Sequence, residues 1–131
     1  VTNVLMKNEN AKVAIDVNKL YEQATSSPLI SAVLVGRSEY IDEIDVPLLL
    51  ETYKDSIDQA NQNVDDTAAL LGQYDIMPEP VAKKALPKLA LKYIDGQEMK
   101  SMLGKHLDYL YQSNPQLVGG SLPEDDFYYT K

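Results

Sequence analysis

Leu29-Ile30-Ser31-Ala32-Val33-Leu34-Val35 is the stretch that decides how this chain is read. Six of its seven residues are apolar and β-branched types are prominent. A run of this length and composition fits a strand buried on both faces better than one face of a surface hairpin. Such a strand needs neighbours on either side. Upstream, Val1-Thr2-Asn3-Val4-Leu5-Met6 alternates loosely before the polar Lys7-Asn8-Glu9-Asn10, and Lys12-Val13-Ala14-Ile15-Asp16-Val17 forms a second short β-type run. Leu89 to Ile94 is apolar and extended. Between these, a short helix from Asp16 or Asn18 carries Leu20 and Ala24 on one face and ends at Ser26-Ser27-Pro28.

Beyond residue 45 the period changes to that of helices. Asp45-Val46-Pro47 is a start signal: a capping carboxylate, then Pro in the first turn, where its missing N–H costs nothing. Leu49, Tyr53, Ile57, Ala60 and Val64 recur at helical spacing, with Glu51, Lys54, Asp55 and Asp58 outward. Asp65 or Asp66 is expected to cap the next helix, Thr67 to Gln73. Pro78-Glu79-Pro80 opens a third that ends near Pro87. Asp95-Gly96-Gln97-Glu98 turns into a fourth, with Met99, Leu103, His106, Leu107 and Leu110 on one face, and Asn114-Pro115 stops it. The predicted fold class is therefore α/β: a partial lobe of few strands followed by a mainly helical layer. So few strands are short of the five or six of an ordinary sheet. The mismatch predicts a part of a larger protein, or a domain completed by another chain.

Composition narrows the function classes. The 131 residues hold twelve Lys+Arg against twenty Asp+Glu, for a net charge of −8. That balance argues against a nucleic-acid or anionic-membrane partner. With no cysteine and one histidine, disulfides, thiol catalysis, Cys-ligated metals and a His-His metal pair within one chain are excluded. No apolar run approaches the ~18 residues of a membrane span. The start lacks a basic region and a long apolar core, so it does not read as a secretory signal.

Each candidate for chemistry has a plainer reading. His106 could be a general base, but Asp108, two residues on, points elsewhere on a helix, so a half-buried packing histidine is favoured. Glu124-Asp125-Asp126 could collect a hard cation, yet it lacks a calcium-loop spacing, and a solvated acidic turn is favoured. Gly119-Gly120 has no following Lys-Ser/Thr and reads as a turn rather than a phosphate loop. Lys83, Lys84 and Lys88 form a small basic patch, read first as a solvated face and otherwise as a salt-bridging surface for a partner. Nine tyrosines against one phenylalanine suit half-wet walls. No catalytic residues, metal ligands or cofactor fingerprint emerge, and an enzyme is not expected.

The order of segments adds a resemblance. Val35–Asn63 (VGRSEYIDEIDVPLLLETYKDSIDQANQN), Thr67–Ile76 (TAALLGQYDI) and Ala82–Tyr129 (AKKALPKLALKYIDGQEMKSMLGKHLDYLYQSNPQLVGGSLPEDDFYY) together resemble the C-terminal part of bacterial ABC-transporter solute-binding proteins of the nitrate, sulfonate, taurine and thiamine-precursor type, a periplasmic-binding-protein-like fold. The most specific parts are Ile94-Asp95-Gly96-Gln97-Glu98-Met99-Lys100 and the tail Gly119 to Tyr129. Tyr53-Lys54-Asp55-Ser56-Ile57 matches the core of the family's long helix. The family's Asn-Pro-Glu before that helix is replaced here by Ile44-Asp45-Val46-Pro47, and its chains are more than twice this length.

The resemblance implies a C-terminal fragment. Residues 1–28 would end the second lobe; residues 29–131 would supply the return crossing and the helical flank of the first lobe, with a packed tail. It implies a small polar solute held in an interlobe cleft, without catalysis or cofactor, and handed to an ABC permease. It also implies an extracytoplasmic setting, periplasmic or as a cell-surface lipoprotein whose anchor lies in an absent N-terminal region. The residues selected as ligand-binding are Thr2 and Asn3 at the start of the first run and Ser31 at the crossing. The alternatives are a stand-alone helical interaction domain and a thiamine-pyrimidine biosynthesis enzyme of the same fold, which relies on His and Cys chemistry. The isolated chain is expected to form a homo-oligomer or to be marginally stable. Phe127, Tyr128 and Tyr129 are expected to pack on the helical layer.

Overall fold

Asp45 shows how the helices of this chain begin. Its carboxylate accepts from the Leu48 backbone N–H at 3.0 Å, Pro47 occupies the first turn, and a 17-residue helix follows. The structure, a computed structural model, describes residues 1–130. Along the chain it forms α1 (Thr2–Lys7), α2 (Val17–Thr25), α3 (Ser38–Ile41), α4 (Val46–Gln62), α5 (Val64–Gln73), α6 (Glu79–Ala85) and α7 (Gly96–Ser113), with 3₁₀ turns at Leu86–Lys88, Pro115–Val118 and Asp125–Phe127.

The α/β expectation is overturned: among the described residues there is no strand, and the fold is helical. The physical reason is visible segment by segment. A strand leaves its N–H and C=O groups to be satisfied by a neighbour, and a chain without neighbours satisfies them locally or leaves them to water. The first expected strand is α1 instead, where Leu5 N–H donates to Val1 C=O and Asn8 N–H to Val4 C=O. Asn8 then ends the helix, its side-chain oxygen accepting from Asn10 N–H at 3.0 Å. The other expected strands, 12–17, 29–35 and 89–94, are non-helical but pair with no ladder partner among the described residues; Val17 already belongs to α2. In the run that the reading began from, Val33 is 50 % and Val35 74 % exposed.

The helical half was read more closely. α4, α6 and α7 lie where the capping and proline signals placed them. The cap of α5 differs. Asn63 closes α4 and opens α5 in one residue, so Asp65 and Asp66 fall inside the first turn, where they oppose the positive helix end without capping it.

The chain divides into two compact units. The first comprises Val1–Val13 and Gly36–Tyr93. Its centre is where α5 meets α6: Ala68, Ala82 and Leu86 are buried, with Val64, Leu71 and Met77 partly buried around them. The small residues let the helices approach closely. A Cβ added at Gly72 would come 3.2 Å from Glu79 Cβ. Lys83 bridges the same helices, 3.2 Å from Asp65 and 3.0 Å from Glu79. Its hydrogen bond to Glu79, then that to Asp65, hold the ammonium above its ordinary pKa. A raised folded-state value contributes stability below the ordinary value that disappears as the pH climbs through the raised one, so this bridge is constant at neutral pH. Asn61 Nδ2 donates to Leu91 C=O at 3.0 Å, and Tyr53 meets Tyr93 edge-on, which fixes the segment after the 3₁₀ turn against α4.

The second unit comprises Ala14–Val35 and the described part of Ile94–Lys131. α2 is capped by Asp16, which accepts from Lys19 N–H, and stops at Ser26, whose φ of 53° is left-handed. Tyr21 of α2 lies against His106 and Tyr109 of α7. The tail folds back on α7: Lys100 pairs with Asp125 at 2.8 Å and lies over the Tyr128 ring, and Tyr128 reaches Gly104. Tyr128 and Tyr129 are half-buried, whereas Phe127, which was expected to pack with them, remains 57 % exposed.

The described core is thin, and the surface shows it. The chain exposes 10295 Å². A compact protein of 14.6 kDa exposes about 6,900 Å², and two self-sufficient halves of that mass about 8,300 Å². Taken together, the two units therefore carry more surface than two complete globules of that combined mass. Since the urea m-value scales with the surface exposed on unfolding, the isolated chain is expected to unfold with an m-value about a quarter below that of a compact protein of equal mass. An ordinary m-value in a two-state urea melt would contradict this.

Candidate functional site

Two places combine polar chemistry with partial enclosure, one in each unit. In the first unit an open hollow of about 380 Å³ is lined by Thr2, Leu5, Met6, Lys84 and Lys88. α1 supplies Thr2 and Leu5 at helical spacing, so both can face one way, and Met6 follows. Lys84 comes from the last turn of α6 and Lys88 from the 3₁₀ turn after it. Pro87 lies inside that turn, where it breaks the α-helix and starts the tighter one.

The charges around the hollow are unequal. Lys83 is neutralised by Asp65 and Glu79. Lys84 and Lys88 have no carboxylate within ion-pair distance among the described residues. Thr2 and Leu5 are half-buried.

In the second unit, Tyr21 Oη and His106 Nδ1 are 2.8 Å apart, half-buried, with their rings tilted and 5.7 Å between centroids. Tyr109 closes one side edge-on. Asp108 is engaged elsewhere, accepting from Gln112 Nε2 at 2.7 Å. His106 thus has a phenol, not a carboxylate, as its hydrogen-bond partner. The arrangement ties α2 to α7. Tyr21→Phe is expected to lower the stability of this unit by about 0.5–1.5 kcal/mol, the worth of one hydrogen bond whose partner can turn to water. A urea melt checks it; an unchanged midpoint would mean the pair contributes nothing.

The residues selected for ligand binding fall apart. Thr2 lines the hollow, whereas its neighbour Asn3 is exposed and outside the lining. Both sit on α1, not at a strand start. Ser31 belongs to the other unit and is exposed on the extended run. Lys84 and Lys88, expected only as part of a basic patch, also line the hollow, as do Leu5 and Met6, which no motif in the sequence points to.

The remaining candidates resolve into structure. Asp125 of the acidic turn pairs with Lys100, and no group of three His, Cys, Asp or Glu residues among those described could hold a metal ion. Gly119 and Gly120 have φ of 78° and 97°, and the loop closes on itself when Gly120 N–H donates to Pro115 C=O at 2.9 Å. No helix among the described residues is long and apolar enough to cross a membrane. In comparisons with known proteins, no family model, no curated protein and no solved structure matches this chain.

Proposed function

We propose that this chain is the C-terminal portion of the solute-binding component of an ABC importer. That component takes up a small polar solute outside the cytoplasm and delivers it to a permease without catalysis. The observation that carries the reading is the run Leu29–Val35: apolar, extended, without ladder partners among the described residues, and with Val33, Leu34 and Val35 at least half exposed. A stretch of this kind needs polypeptide to cover it. The excess surface of the chain as a whole supports the same reading. The resemblance of the Val35–Asn63, Ile94–Lys100 and Gly119–Tyr129 segments to that transporter family supports reading that polypeptide as the rest of such a component.

The test is the intact mass of the natural protein isolated from its own source. The expected product is more than twice the length of this chain, carries a lipid-modified cysteine upstream of Val1, and shows a raised melting temperature with one member of a panel of small polar solutes. A monomeric natural product of 14.6 kDa would overturn the reading.

A second reading, a helical protein-interaction domain, is favoured by the helical fold itself and by the side chains of Leu48, Leu49 and Tyr53, which α4 leaves exposed. The same measurement separates the two, since that domain would be recovered at its own mass and bound to another protein.

A further inference from the structure

The hollow between α1 and α6 has a charge pattern that the packing of the unit does not use. In a chain with twenty acidic residues, three lysines stand close together at 83, 84 and 88. Lys83 takes both nearby carboxylates. Lys84 at the end of α6 and Lys88 in the following 3₁₀ turn, both lining the hollow, are left without one among the described residues. Like charges that line one hollow repel weakly through water, and an anion between them relieves that repulsion. The Thr2 hydroxyl, also in the lining, has no hydrogen-bond partner among the described residues and can donate to such an anion. Leu5 and Met6 make the rest of the lining apolar.

We propose that this hollow binds a small organic phosphate monoester. The two ammoniums match the charge of the phosphoryl group, the Thr2 hydroxyl donates to one of its oxygens, and Leu5 and Met6 receive its short apolar ester group. The hollow lies wholly within the first unit, so the site does not depend on the importer reading.

The test is a titration of the chain with butyl phosphate, followed by amide chemical shifts, with butanol and inorganic phosphate as comparison probes. The expected result is saturable shifts at Leu5, Met6, Lys84 and Lys88. Butyl phosphate should bind more tightly than inorganic phosphate, and butanol should not bind. Lys84→Gln and Lys88→Gln should each weaken binding about tenfold, the size of one charge-assisted hydrogen bond. Lys54→Gln, on the exposed face of α4, should leave affinity unchanged. Melting curves confirm that each variant is folded, and either single lysine variant suffices if the other is not. The proposal is overturned if the folded lysine variants bind as tightly as the parent chain, if Lys54→Gln loses as much, or if inorganic phosphate binds as well as butyl phosphate.

Discussion

Leu86→Ala is expected to destabilise the first unit by about 2–3 kcal/mol, toward the lower end of what buried Leu→Ala changes cost because Leu86 keeps some exposure and its buried neighbours are small. The mechanism is loss of buried surface with a residual cavity. Leu86 is the only large side chain among the buried apolar residues described; Ala68, Ala82 and Ala85 are the others. The partly buried Val64, Leu71 and Met77 are the side chains that would have to move to fill the gap, and complete filling would shift α5 against α6. The effect should be local. Hydrogen exchange should accelerate at the amides of α5 and α6, while those of α7, in the other unit, keep their protection. Exchange that accelerates equally in α7 would show the two units to unfold as one. A loss below about 0.5 kcal/mol, the size of an ordinary surface change, would show that this cluster is not a core.

The helical half of the fold was legible because its signals are local. Asp45 with Pro47, Pro78-Glu79-Pro80 and Asn114-Pro115 act on backbone groups within a few residues of themselves, and each ends or begins an element where it was read. The apolar runs carry a different kind of information. Their β-type composition says what a segment would do beside a partner, and nothing in the segment supplies the partner. Val1–Met6 therefore turns helical, and Leu29–Val35 stays extended without a ladder. The same distinction applies to the candidate site. Thr2 was selected for its position at a strand start, which does not exist; it lines the hollow because α1 packs beside α6, a contact between segments some eighty residues apart. The lysines were recognised as a patch. Which of them is free could not be read from spacing, since it depends on where Asp65 and Glu79 stand in space.

Val33→Asp separates a self-contained chain from a piece of a larger protein, because the two give opposite results. In the isolated 131-residue chain Val33 is 50 % exposed on an extended segment, so a carboxylate there remains hydrated and the change is expected to fall within about 0.5 kcal/mol. In the longer natural protein of the proposed function, the run Leu29–Val35 is covered by polypeptide that this chain lacks. A buried Asp without a cationic partner must then be desolvated or protonated, at a cost of about 3–5 kcal/mol, with the natural protein melting well below its parent or failing to accumulate. Ser31→Ala, in the same run, controls for general sensitivity of the segment: it removes a hydroxyl without introducing charge and should be mild in both contexts. An equal and small effect of Val33→Asp in both proteins would mean that nothing covers this run, and the importer reading would lose the observation on which it stands. An equal and large effect would mean that the isolated chain already buries Val33 against itself or a second copy, a result that light scattering assigns to one or the other.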